Sequence, residues 1–86
     1  VGSRTFDGVR FSIYSHEHLP PHVHGTASGV IVVLDLLGAG KVELSKRKDA
    51  ITPPNAKKNV VARIQRIAES KADDLMTLWE KTHGPR

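Results

Sequence analysis

An α+β fold is what this sequence predicts: an antiparallel β-meander followed by two C-terminal helices packed on one face of the sheet. Two patterns point to it. Up to about residue 45 apolar and polar residues alternate between glycine-bearing turns, and from about residue 53 the apolar residues recur at helical intervals. The 86 residues suffice for one core, so we expect a single domain over 1–86, with strands in about 4–45 and helices in about 53–83.

Asp7-Gly8 opens the meander. Both central positions of a type I′ turn need positive φ, which aspartate tolerates and glycine adopts freely, so the pair joins Arg4-Thr5-Phe6 to a strand from Val9 to Tyr14. In that strand Val9, Phe11 and Ile13 alternate with Arg10, Ser12 and Tyr14, which gives it one inward face. Ser28-Gly29 turns into Val30-Ile31-Val32-Val33-Leu34-Asp35-Leu36, a run too continuously apolar for an edge and therefore a central strand. Gly38-Ala39-Gly40 permits a further turn into Lys41-Val42-Glu43-Leu44. Thr52-Pro53-Pro54 reads as an N-cap with prolines in the first turn, and Val60, Val61, Ile64, Ile67 and Ala68 form the apolar stripe of the helix that follows. Ser70-Lys71-Ala72-Asp73 has the form of a capping box with aspartate in place of glutamate. It precedes a second stripe of Ala72, Leu75, Met76, Trp79 and His83, ended by Gly84-Pro85.

Composition narrows the function classes. No apolar stretch approaches the length of a bilayer span, and no secretory leader pattern is found, so we expect a cytoplasmic protein without membrane contact. The absence of cysteine removes disulfides, thiolate zinc sites and cysteine nucleophiles. No serine lies in a Gly-x-Ser-x-Gly elbow, which disfavours acyl chemistry. Thirteen Lys and Arg against nine Asp and Glu leave a formal charge of +4, which favours anionic partners without requiring them.

Four of the five histidines fall in Ser15-His16-Glu17-His18-Leu19-Pro20-Pro21-His22-Val23-His24, where a diproline separates two His-x-His pairs. Imidazole titrates near neutrality, ligates metals as the neutral ring and passes protons, so this run is the candidate site. In extended chain, residues two apart share a side, which pairs His22 with His24 and His16 with His18; Leu19-Pro20-Pro21 makes a stiff corner between the pairs. Three readings stay open. In one, His18, His22 and His24 hold a divalent transition metal (Zn²⁺, Ni²⁺ or Cu²⁺), with His16 or Glu17 as a further ligand. In another, His18, His22 and His24, assisted by Glu17, act as acid and base on a phosphodiester, with a nearby cation on the phosphate. In the third, the rings hydrogen-bond the backbone and hold an irregular loop.

Lys46-Arg47-Lys48, Arg63 and Arg66 are the candidate nucleic-acid contacts, although a solvated loop and an ordinary polar helix face are the commoner explanation of such residues unless the two patches coincide. Trp79 falls in the core stripe, and His83 stands near enough to a helix end to bond the last carbonyls. Asp35, a carboxylate within an apolar strand, is suited to orient a histidine or to face solvent.

The run from Tyr14 to His24 resembles the signature of the bacterial Domain of Unknown Function 4160 family, which reads acidic-His-x-Pro-Pro-His-x-His. It matches at Glu17, His18, Pro20, Pro21, His22 and His24; His16 lies outside the pattern. A first strand at Gly8-Val9-Arg10 and a terminal helix carrying Trp79 are compatible with the family over most of the chain. The resemblance implies one component of a toxin–antitoxin-type pair with a small protein partner, which favours a ribonuclease-like action on RNA or partner binding over a metabolic role. A noncatalytic metal-binding or interaction module using the same histidines is the alternative.

Overall fold

In the computed structural model of the chain, which describes residues 2–15 and 20–84, a meander of strands leads into two helices. The elements are β1 (Gly2–Phe6), β2 (Val9–Ile13), β3 (His22–Ala27), β4 (Val30–Gly38), β5 (Lys41–Leu44), β6 (Ile51–Thr52), α1 (Lys58–Ser70) and α2 (Ala72–His83). β1 to β5 follow one another across an antiparallel sheet, and β6 also pairs with β4. Asp7 and Gly8 have φ of 50° and 83°, and Ser28 and Gly29 have 51° and 75°, the positive values that a two-residue hairpin turn demands.

β4 is central, as its apolar run requires. Along one edge it pairs with β3; along the other, Leu34 to Gly38 pair with β5 while Ile31 and Val32 pair with Thr52 and Ile51 of β6. Between the two halves, Val33 N–H donates to the Ala50 carbonyl (2.7 Å) and the Ser45 N–H donates to the Val33 carbonyl (3.0 Å). The basic segment 46–48 is thus a short excursion from one edge of β4.

The core lies between one face of the sheet and the two helices. Val9, Phe11 and Ile13 of β2, Val23 of β3 and Val32 and Leu34 of β4 meet Ile64, Ala68, Leu75 and Trp79 of the helices, all buried. Gly25 makes the closest approach of sheet to helix: a Cβ there would stand 2.7 Å from Ile64 Cγ2 and 3.0 Å from Phe11 Cε1.

Two expectations about helix starts are corrected. Thr52 is not an N-cap but the last residue of β6, paired with Ile31, and α1 begins at Lys58 after Lys57, which makes no side-chain cap. A residue before proline is driven to extended backbone, and Thr52-Pro53 obeys that bias as a strand end. The capping box does not form either. Lys71 occupies the N-cap of α2 without a side-chain bond, and Ser70 Oγ instead donates back to the Ile67 carbonyl of α1 (2.8 Å). With one residue between the helices, Ser70 still belongs to the end of α1, and its nearest acceptor is that helix's own carbonyl.

Because Gly25 leaves room for nothing larger, Gly25→Ala is expected to lower the unfolding free energy by about 1–3 kcal/mol through overpacking. Urea denaturation followed by circular dichroism measures it, and an unchanged midpoint would remove the close approach as a constraint.

Candidate functional site

His22 opens β3 and His24 follows two residues later, so strand alternation sets both on the side opposite Val23 and Gly25, which face the core. Their rings are 5.6 Å apart, edge to face. The sequence expectation that this pair shares one side is met. His16, Glu17 and His18 lie outside the described residues.

The two rings differ in setting. His22 is 7% exposed, and its Nδ1 lies 2.9 Å from the Pro20 carbonyl. A carbonyl can only accept, so Nδ1 carries the proton and the ring is held in one tautomer and orientation. The next carbonyl, that of Pro21, accepts from the Leu36 N–H of β4 (2.8 Å). Prolines donate nothing, but both their carbonyls are used: one fixes the imidazole and the other fixes the chain to the central strand. His24 is half-buried, and Tyr14, itself 37% exposed, meets it edge-on at 5.2 Å.

His22 also reaches the helical layer. It sits at the end of the sheet, where its ring lies 5.6 Å from Trp79 of α2. Trp79 in turn stacks on His83 at 3.6 Å with an interplanar angle of 23°, and His83 Nδ1 donates to the Trp79 carbonyl (3.0 Å). A continuous row of rings results: Tyr14, His24, His22, Trp79, His83. Sequence reasoning placed Trp79 in the core and gave His83 a bond to the last carbonyls, and both are found. It left His83 apart from the histidine run, and that is corrected. The available signal was the four-residue spacing from Trp79 to His83, which sets both on one side of α2.

Asp35, on β4, stands directly opposite His22 in the ladder, and Glu43 of β5 stands opposite Asp35. Two carboxylates therefore share the sheet face beyond the imidazoles. Among the described residues no three His, Asp or Glu side chains are grouped to hold a metal. The candidate nucleic-acid residues divide. Lys46, Arg47 and Lys48 are exposed at the far edge of β4, two strand positions from His24, because Ser45 bonds Val33 and Val33 faces His24. Arg63 and Arg66 ride on α1, and the Arg63 guanidinium donates to the Asp7 carbonyl at the β1–β2 turn. Among the described residues no helix is long and apolar enough to cross a membrane.

Comparison with known proteins gives one family: the model described as a domain of unknown function (DUF4160) matches residues 8–80. No curated protein and no solved structure matches.

Trp79 is the chain's single tryptophan, so its emission reports on this row of rings alone. His83→Ala is expected to remove an aromatic stack, cost about 0.5–1.5 kcal/mol of stability and red-shift the emission as water gains access to the indole. Steady-state fluorescence and thermal melting together check it; identical spectra would mean the stack is not maintained in solution.

Proposed function

The chain belongs to the family described as a domain of unknown function (DUF4160), and on that premise we propose that it acts on RNA through His24 and His22, as one component of a toxin–antitoxin-type pair with a second small protein. One observation carries the reading. A half-exposed imidazole, His24, is held in place between Tyr14 and a buried imidazole whose own orientation is fixed by a backbone carbonyl. Proton transfer depends on such positioning, since a general base must present its lone pair at a set place relative to the hydroxyl it deprotonates.

In this reading His24 takes the proton from a 2′-hydroxyl, the resulting oxygen attacks the adjacent phosphorus, and the 5′-oxygen leaves with a proton from a second acid. His18, with Glu17 beside it in sequence, is the residue we assign to that second transfer. His22 is a positioning residue: it braces His24 and ties it through Trp79 to the core. Lys46, Arg47 and Lys48, exposed at the far edge of β4 beyond the row of His24, supply positive charge for the phosphate. The small protein partner that the family resemblance implies would restrain the site.

The test is cleavage of a fluorescently labelled single-stranded RNA by the purified protein. His24→Ala is expected to reduce the rate about 10²- to 10⁴-fold with the melting temperature little changed. His22→Asn, which keeps a donor for the Pro20 carbonyl, is expected to retain more activity than His22→Ala. Cleavage that persists undiminished in His24→Ala would falsify the enzymatic reading.

A second reading is favoured by one specific feature. With Nδ1–H committed to the Pro20 carbonyl, His22 carries its lone pair on Nε2, the arrangement that metal-bound imidazoles adopt. His22 and His24 then contribute two ligands to Zn²⁺, Ni²⁺ or Cu²⁺, and His18 or His16 the others. Adding each ion at a hundredfold excess over a site's Kd would stabilise the fold by about 2.7 kcal/mol, seen as a raised melting temperature. No shift with any of the three ions ends this reading.

A further inference from the structure

The helices cover one face of the sheet, and the other face carries more than His24. Alternation puts Arg10 and Ser12 of β2, His24 and Thr26 of β3, Ile31 and Val33 of β4 and Glu43 of β5 on it. Arg10, Thr26, Ile31 and Glu43 are exposed, and Tyr14 joins this face through its ring contact with His24. Cross-strand register orders these residues into rows. One row runs Arg10, Thr26, Ile31, Thr52; the next runs Ser12, His24, Val33 and reaches Ser45, where the basic segment 46–48 begins; the third holds His22, Asp35 and Glu43.

Charge is therefore graded across the face. Cations stand at Arg10 on one side and at Lys46, Arg47 and Lys48 on the other, about three strand spacings or ~14 Å apart. His24 lies in the row between them, and Tyr14, two residues past Ser12, stands beside it level with His22 at the β2 end of the next row. Among the described residues the two carboxylates of this face, Asp35 and Glu43, stand at the β4–β5 end of the row of His22, so negative charge is concentrated at that corner and away from Arg10 and Tyr14 on β2.

We propose that this face is a track for single-stranded RNA, in which Tyr14 stacks on a base while Arg10 and Lys46, Arg47 and Lys48 hold phosphates on either side of His24. The proposal rests on the RNA reading given above and adds its recognition surface. A duplex would not serve, because its bases are stacked on one another, whereas an unpaired base offers its face to an exposed aromatic ring. The stacking residue tolerates any base, and the expected preference is for single strands over duplex and not for a sequence.

Binding is measured by fluorescence anisotropy with a 2′-O-methyl RNA oligonucleotide of about ten nucleotides, within the site sizes of such surfaces. It lacks the 2′-hydroxyl, so affinity is read apart from cleavage. Tyr14→Ala is expected to weaken binding about tenfold or more, and Tyr14→Phe to leave it within about twofold. Arg10→Ala is expected to lower the slope of log affinity against log salt by about 0.7, the effect of leaving one phosphate of a single strand without its cation. Both side chains are exposed, and unchanged Trp79 emission verifies that the variants are folded. Equal affinity of Tyr14→Ala and the unaltered protein, an unchanged salt slope in Arg10→Ala, or no binding at low salt each overturns the track. RNA cleavage that depends on His24 but not on Tyr14 leaves the proposed function standing and removes this inference. Tyr14-dependent binding without cleavage does the reverse.

Discussion

The pairing of β3 with β4 is the constraint on which the site depends. It runs over His22↔Asp35, Val23↔Leu34, His24↔Val33, Gly25↔Val32, Thr26↔Ile31 and Ala27↔Val30, and because side chains alternate with period two, it decides at once which residues enter the core and which face away. Val23 and Gly25 go inward, the glycine because Ile64 and Phe11 leave no room for a side chain. His22 and His24 are thereby sent to the other side. A slip of one residue would turn His24 under the helices and expose Val23, so the apolar residues that hold the fold also hold His24 on its own side.

Most of the fold was legible in the sequence because its signals are local. Asp7-Gly8 and Ser28-Gly29 adopt positive φ for reasons contained in the two residues themselves, and alternation in β2 and the apolar run of β4 follow directly from which faces are covered. The apolar stripes of both helices are also where periodicity puts them, with Ile64, Ile67, Ala68, Leu75 and Trp79 buried. The His22–His24 pair was legible for the same reason, since two residues of one strand separated by one must share a side.

What was not legible is set by distant contacts. Ile51 and Thr52 become a strand because β5 stops at Leu44 and leaves the first half of β4 with an unpaired edge, which Thr52-Pro53-Pro54 read alone does not reveal. Ser70 bonds backward into α1 because the second helix starts only two residues later. The extension of the imidazole pair into Trp79 and His83 depends on α2 passing the end of β3, a fact of packing that joins residues far apart in the chain. Helical spacing showed that Trp79 and His83 share a side, but not what stood on that side.

Whether the diproline brings His16 and His18 toward His22 and His24 falls on residues outside those described; within them, the two prolines act through their carbonyls. Pro20 and Pro21 cannot donate hydrogen bonds, and each uses its carbonyl: Pro20 on His22 Nδ1 and Pro21 on the Leu36 N–H. Pro20 precedes a proline and is therefore held extended, which limits the direction of the carbonyl that meets His22, while the Pro21 carbonyl is held by its bond to Leu36 at the start of the β3–β4 pairing. That arrangement separates the roles of His22 and His24. His22, buried and bonded to main chain, is held by the fold and in turn supports its neighbour. His24, half-exposed between His22 and Tyr14, is the more accessible of the two rings, and the role proposed for it rests on that difference in burial more than on the number of histidines in the run.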